Sequence, residues 1–189
     1  MCFTVSAEGG RSPLTLSGER EHEGDEMLIE DMRSDDWEAV RRIYEEGLAT
    51  GDATFEVEAP PWAVWDEGHH RHSRLVARAA GRVVGWAALA PVSNRACYGG
   101  VAEVSLYVAA GWRARGVGKQ LLAALIESSE RHGIWSLYGS TFPENEASIR
   151  LQLACGFRAV GRRERIAKHG GIWRDTVITE RRSKVIGTE

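Results

Sequence analysis

VAEVSLYVAAGWRARGVGKQLLAAL, residues Val101 to Leu125, reads as a strand, an Arg/Gly turn and an amphipathic helix. Val104, Leu106, Tyr107 and Val108 are strand formers. Val117, Leu121, Ala124 and Leu125 then recur at helical spacing. Between them lie Arg113, Ala114, Arg115, Gly116, Gly118 and Lys119. Glycines at a helix start let a bound group approach bare backbone N–H donors, and the helix dipole favours an anion there. The arginines add positive charge, so the stretch reads as a pyrophosphate cradle. Glu103 stands just upstream, on the strand that leads into it.

Two well-known phosphate motifs do not fit. A dinucleotide fingerprint wants a third glycine, and Gly116-Val-Gly118 is followed by Lys119, Gln120 and Leu121. A P-loop wants Lys and Ser/Thr after its second glycine, where Val117 and Gly118 stand. What remains is R-x-x-G-x-G, Arg113 to Gly118. Taken alone, a plain helix-start turn also produces G-x-G.

The chain has 189 residues, 43% hydrophobic and 27% charged, which suits one domain with a real core. A net charge of −3 gives no basic footprint for nucleic acid or an anionic membrane. Its longest nearly apolar run, Val83 to Val92, is about half a membrane span. Three cysteines (Cys2, Cys97, Cys155) form neither a disulfide framework nor a CxxC site. With no signal-peptide pattern, a reduced cytoplasm is the expected location. His69-His70-x-His72 lacks the spacing of a metal-binding helix, so no metal is expected.

Residues 1–26 lack periodicity and read as a flexible tail, and Met27 opens the folded pattern as a possible start codon. A single domain is expected over 27–184, with a C-terminal tail at 185–189. Met27 to Met32 predicts a strand. Ser34 is expected to cap a helix bearing Trp37, Val40, Ile43, Tyr44 and Leu48, and Pro60-Pro61 to start a second helix. Ala80-Gly81 separates two hairpin strands ending at Pro91. The 101–109 strand and a helix to Gly133 follow, then a strand at 134–140 and a helix capped by Asn145 and closed by Gly156. A hairpin over 157–181 finishes the order β-α-α-β-β-β-α-β-α-β-β.

The R-x-x-G-x-G turn and this element order resemble the GCN5-related N-acetyltransferases (GNAT). Asn145-Glu-Ala-Ser148, followed by Cys155-Gly156-Phe157, resembles that family's N-x-A-S…G-F segment. Ala102-Glu103-Val-Ser-Leu-Tyr-Val108 resembles the A-E-S-T-V-Y-V strand of phosphinothricin acetyltransferases. Arg95-x-x-Tyr98, Phe55 in A-T-F and Gly171-Ile-Trp173-Arg-Asp175 also match that subfamily, which takes phosphinothricin, methionine sulfoximine or arsinothricin. The resemblance spans about residues 27–181.

It implies an α+β fold, a mixed central sheet flanked by helices, with acetyl-CoA as cosubstrate and no metal. Leu106, Tyr107 and Val108, the stretch Ala114-Arg115-Gly116-Val117-Gly118-Lys119, and Asn145 and Ser148 would hold acetyl-CoA. Phe55, Arg95, Tyr98, Ser105 and Gln152 would shape the acceptor site, and Glu103 would be catalytic. The acceptor would be a small amino-acid-like amine and the enzyme a homodimer, with the Trp173 hairpin as a candidate interface.

Glu103 also stands on chemistry. A carboxylate in an apolar strand is costly to bury without a partner. It is either an edge residue facing water or arginine, or a general base for an amine that arrives protonated. Arg95 offers a planar donor fork for a carboxylate or phosphinate. At Gln152 the chain departs from the family, which carries His or Tyr there; Gln cannot donate a proton as an acid. Two other readings stay open: acetylation of a different amine (polyamine, aminoglycoside or protein N-terminus), and an acyl-CoA-binding sensor without turnover.

Overall fold

The structure is a computed structural model and describes residues 27–188. The expected 1–26 tail and the end of the 185–189 tail lie outside the described residues. The strands are β1 (Leu28–Asp31), β2 (Leu75–Ala79), β3 (Arg82–Pro91), β4 (Val101–Val108), β5 (Ser136–Thr141), β6 (Arg158–His169) and β7 (Ile172–Arg182). The helices are α1 (Trp37–Leu48), α2 (Trp62–Gly68), α3 (Val117–Arg131) and α4 (Glu146–Ala154). The expected order of strands and helices is observed, with short 3-10 turns at Ser34–Asp36, Ala96–Tyr98 and Ala110–Trp112.

One sheet runs β1-β2-β3-β4-β5-β7-β6. β4 and β5 are parallel, and every other pair is antiparallel. This is the mixed sheet flanked by helices that the sequence predicts. Alternation along the strands divides the core. Ala102, Val104, Leu106 and Val108 of β4 pack with Leu121, Leu122 and Leu125 of α3 on one face. Tyr107 packs with Val40, Ile43 and Tyr44 of α1 and with Trp65 and Trp86 on the other. Each large apolar side chain buried this way stabilises the fold by about 1.5–3 kcal/mol.

The first helix departs from expectation at its start. Ser34 opens the 3-10 turn and caps nothing. Asp36 does the work: its Oδ2 accepts from the Arg33 N–H at 3.0 Å, and its Oδ1 accepts from Arg78 Nη2 at 2.7 Å. That ion pair ties α1 to β2, so a tertiary contact overrides the local cap signal. The Ala80-Gly81 turn takes positive φ at both residues (46° and 73°), as a tight two-residue hairpin requires. Residues 185–187 fold back on Arg182, whose guanidinium donates to the Ile186 and Gly187 carbonyls. No helix among the described residues is long and apolar enough to cross a membrane.

Candidate active site

β4 and β5 pair only over Val101↔Ser136, Ala102↔Leu137 and Glu103↔Tyr138. Beyond Glu103 they part. β4 stays on β3 up to Gly85↔Val108, while β5 stays on β7 up to Thr141↔Val177. The sheet therefore opens into a V whose apex is Glu103, and β4 presents an unpaired edge from Val104 to Val108. A cleft of about 880 Å³ fills the V. Because β4 alternates, the cleft reaches both faces of the sheet: Val104, Leu106 and Leu122 line one side, Glu103, Ser105 and Phe55 the other.

At the wide end the cleft meets the start of α3. Gly116 is the N-cap, with φ +85° and open space where a Cβ would stand. Ala114 also takes a positive φ, 59°, which costs a non-glycine residue about 1 kcal/mol or more. The first intrahelical bond runs from the Gln120 N–H to the Gly116 carbonyl at 3.1 Å. The N–H groups of Val117, Gly118 and Lys119 thus have no partner within the helix. Arg113 is steadied by its Nε donating to the Val108 carbonyl at 3.1 Å, and Arg115 lies over the Trp112 ring at 5.2 Å. The turn suits an anion, and the open β4 edge suits an amide-bearing chain. Val117 contributes only its backbone, because its side chain is buried in the core.

Opposite, Asn145 caps α4. Its Oδ1 accepts from the Ser148 N–H at 3.2 Å, and its Nδ2 donates to the Asp52 carbonyl at 3.3 Å. Both Asn145 and Ser148 line the cleft. At the apex, burial pushes the Glu103 carboxyl above its ordinary range, while the nearby Arg163 guanidinium pulls the other way. Tyr107 is stacked on Trp86 with ring centroids 4.8 Å apart, and burial raises its phenol pKa. A raised pKa makes it a poorer proton donor.

Gln152 lines the cleft but is bound on both sides. Its Nε2 donates to Thr141 Oγ1 at 3.3 Å, and its Oε1 accepts from the Thr179 hydroxyl. Phe55 meets Phe142 edge-on at 4.7 Å. Arg95 and Tyr98 are not brought into the cleft. They sit on the β3–β4 loop, with the Arg95 guanidinium 5.6 Å over the exposed Tyr98 ring and a local 2.9 Å bond from the Tyr98 N–H to the Arg95 carbonyl. Sequence reasoning missed Asp52, Phe142, Glu144 and Arg174, which bound or brace the cleft. Arg174 lies inside the quoted 171–175 segment and the other three lie outside every quoted motif; only the chain's return through β7 assembles the four.

The histidines of the 69–72 run divide between two places. His69 stacks on Trp65 at 4.2 Å, while His70, His72 and the distant His132 form a column with ring centroids 4.9 and 4.3 Å apart.

Residues 30–157 match the sequence profile of the Acetyltransferase (GNAT) family. The chain is 34% identical over 161 residues to a phosphinothricin N-acetyltransferase of Alcaligenes faecalis, covering 79% of each. Among solved structures, a GNAT superfamily phosphinothricin acetyltransferase from Sinorhizobium meliloti in complex with acetyl-CoA matches with a TM-score of 0.74. That match has 27% identity and covers 82% of this chain and 88% of that one. A ribosomal-protein-alanine N-acetyltransferase from Brucella melitensis matches with a TM-score of 0.77 and 28% identity, covering 82% and 99%. The chain belongs to the GNAT family and is an N-acetyltransferase.

Proposed function

We propose that the enzyme transfers acetyl from acetyl-CoA to the α-amino group of a small amino-acid analogue of phosphinothricin, methionine sulfoximine or arsinothricin type. The observation that carries this reading is Glu103 at the apex of the V, beside the open β4 edge. The similarity to the phosphinothricin enzymes supports the substrate class.

The residues present fit acetyl-CoA. The α3 start and Lys119 suit its pyrophosphate, the open edge of Val104–Val108 suits its pantetheine amides, and Asn145 and Ser148 face them across the cleft. Bound acetyl-CoA supplies the thioester. Glu103 takes the proton of the incoming ammonium, directly or through water, which frees the nitrogen lone pair. General-base help of this kind is typically worth about 10²–10⁴-fold. N–H groups on the β4 edge near Leu106 to Val108 stabilise the oxyanion that develops as nitrogen adds to the carbonyl. The C–S bond then breaks, the sulfur departs with its electron pair, and the second proton of the former ammonium passes to solvent or to the departing thiolate. A thiol pKa of about 8.5 makes the thiolate a tolerable leaving group without an acid at Gln152. Phe55, Phe142 and Ser105 bound the acceptor side. The exposed Ile172 and Trp173 of the terminal hairpin are the surface through which a second copy would pair.

CoA thiol release tests the reading, with phosphinothricin, methionine sulfoximine, arsinothricin and a polyamine as acceptors. Turnover of the amino-acid analogues above the polyamine is expected. Turnover of the polyamine alone overturns the acceptor class, and tight acetyl-CoA binding with no release on any acceptor favours a sensor.

A further inference from the structure

Arg174 of β7 makes four contacts that converge beside the cleft. Its Nη2 lies 3.1 Å from Asp52 Oδ1 and 3.1 Å from Glu144 Oε2, and its Nη1 donates to the Gly51 carbonyl at 3.4 Å. The guanidinium also stands 4.2 Å over the Phe142 ring. Gly51 and Asp52 belong to the α1–α2 loop, while Phe142 and Glu144 belong to the β5–α4 loop. Both loops contribute residues to the cleft lining and meet each other there, and Arg174 bridges them from a third element.

Asp52 is the hub of the bridge. Its carboxylate takes Arg174 and its carbonyl takes Asn145 Nδ2. Three residues on, Phe55 meets Phe142, the ring that Arg174 covers. The segment from Gly51 to Phe55 is thus held at its start by charge and at its end by an aromatic contact. It carries no secondary structure of its own that would fix it. Its local bonds are short-range only, Gly51 N–H to the Leu48 carbonyl at 3.0 Å and Asp52 N–H to Thr50 Oγ1 at 3.2 Å, so its place against the cleft depends on these outside contacts as well. Arg suits the task, because its fork satisfies two carboxylates while its flat face covers a ring.

We propose that Arg174 is a positioning residue for acetyl transfer: by bridging Asp52 and Glu144 over Phe142, it fixes the acceptor wall that ends in Phe55. This rests on the reading above that the Phe55 side of the cleft receives the amine. Arg174 does not itself line the cleft. It acts by holding the segment that does, so its loss enlarges the acceptor site and leaves the α3 turn in place.

The test compares Arg174→Gln, Arg174→Lys and wild type. Initial rates are measured with the best amino-acid acceptor at low and high salt, and amide hydrogen exchange is followed with no acceptor present. Arg174→Gln is expected to raise the acceptor KM about tenfold while the acetyl-CoA KM stays within about twofold. Arg174→Lys, which keeps the charge but not the fork, should recover part of the loss. High salt should raise the wild-type acceptor KM and barely move that of Arg174→Gln, since exposed ion pairs are screened. Faster exchange at residues 51–55 in Arg174→Gln is expected whichever amine is the substrate, so this arm stands even if the proposed acceptors fail. Unchanged exchange, an equal rise in both KM values, or a rise confined to acetyl-CoA overturns the proposal.

Discussion

The Gln152 carboxamide bridges two threonine hydroxyls, accepting from Thr179 on β7 and donating to Thr141 on β5 at 3.3 Å. Thr179 is fully buried and Thr141 nearly so. Behind the amide is Gly139, where an added Cβ would come within 2.6 Å of Gln152 Oε1. At the position where the resembling enzymes carry an imidazole or phenol, this chain has a strut between α4 and the sheet. Gln152→Ala leaves both hydroxyls without this partner, so it should cost about 1–3 kcal/mol and lower Tm by roughly 2–12 °C. Gln152→His should leave kcat within about threefold, because an acid used in the transition state would be worth about 10²-fold or more. Thermal unfolding and steady-state rates read the two effects separately.

Gly116 has a different vulnerability. Space is open around it, so its requirement is the +85° φ rather than room. Gly116→Ala should cost about 1–2 kcal/mol of local strain and tilt the first N–H groups of α3. The acetyl-CoA KM should rise several-fold while the acceptor KM holds. Initial rates with each substrate varied in turn check this.

The histidine column gives a dependence on pH. Burial holds the imidazoles of His70 and His72 below their ordinary pKa. Charging either one puts a cation against a stacked neighbour and beside Arg74. A depressed folded-state pKa means that the unfolded chain binds the proton first. The contribution to stability is therefore full above the unfolded value of about 6.5 and falls as pH drops below it, until the folded-state value is passed. Urea midpoints between pH 7.5 and 5 should decline, and His72→Phe, which keeps an aromatic ring but not the titration, should flatten the decline.

Much of this architecture was legible in the residues because it is local. The strand, glycine turn and helix of 101–125 announce themselves by composition and periodicity, as does the Asn145 cap. Glu103 stood out as a carboxylate in an apolar strand. Its position at the apex of the V depends on where β4 leaves β5, which no period in the sequence reports. The same limit explains Ser34, whose cap signal lost to the Asp36–Arg78 ion pair. It explains Arg174 as well: one of three arginines in a terminal strand gives no hint of its partners 122 and 30 residues away. Arg95 and Tyr98 match the subfamily's spacing, but the loop that bears them turns on itself outside the cleft.

Glu103 as the base is the central claim, and the pH dependence of kcat/KM for wild type and Glu103→Gln tests it most directly. Burial raises the carboxyl pKa, and a base must be ionised to act. The wild-type rate should therefore climb with pH through an acidic limb lying above the ordinary glutamate value of about 4.3. In Glu103→Gln, kcat/KM should fall about 10²–10⁴-fold, and the remaining rate should follow only the ionisation of the amine. A mutant that keeps wild-type kcat/KM with the same pH profile would contradict the account and remove Glu103 from the proton transfer.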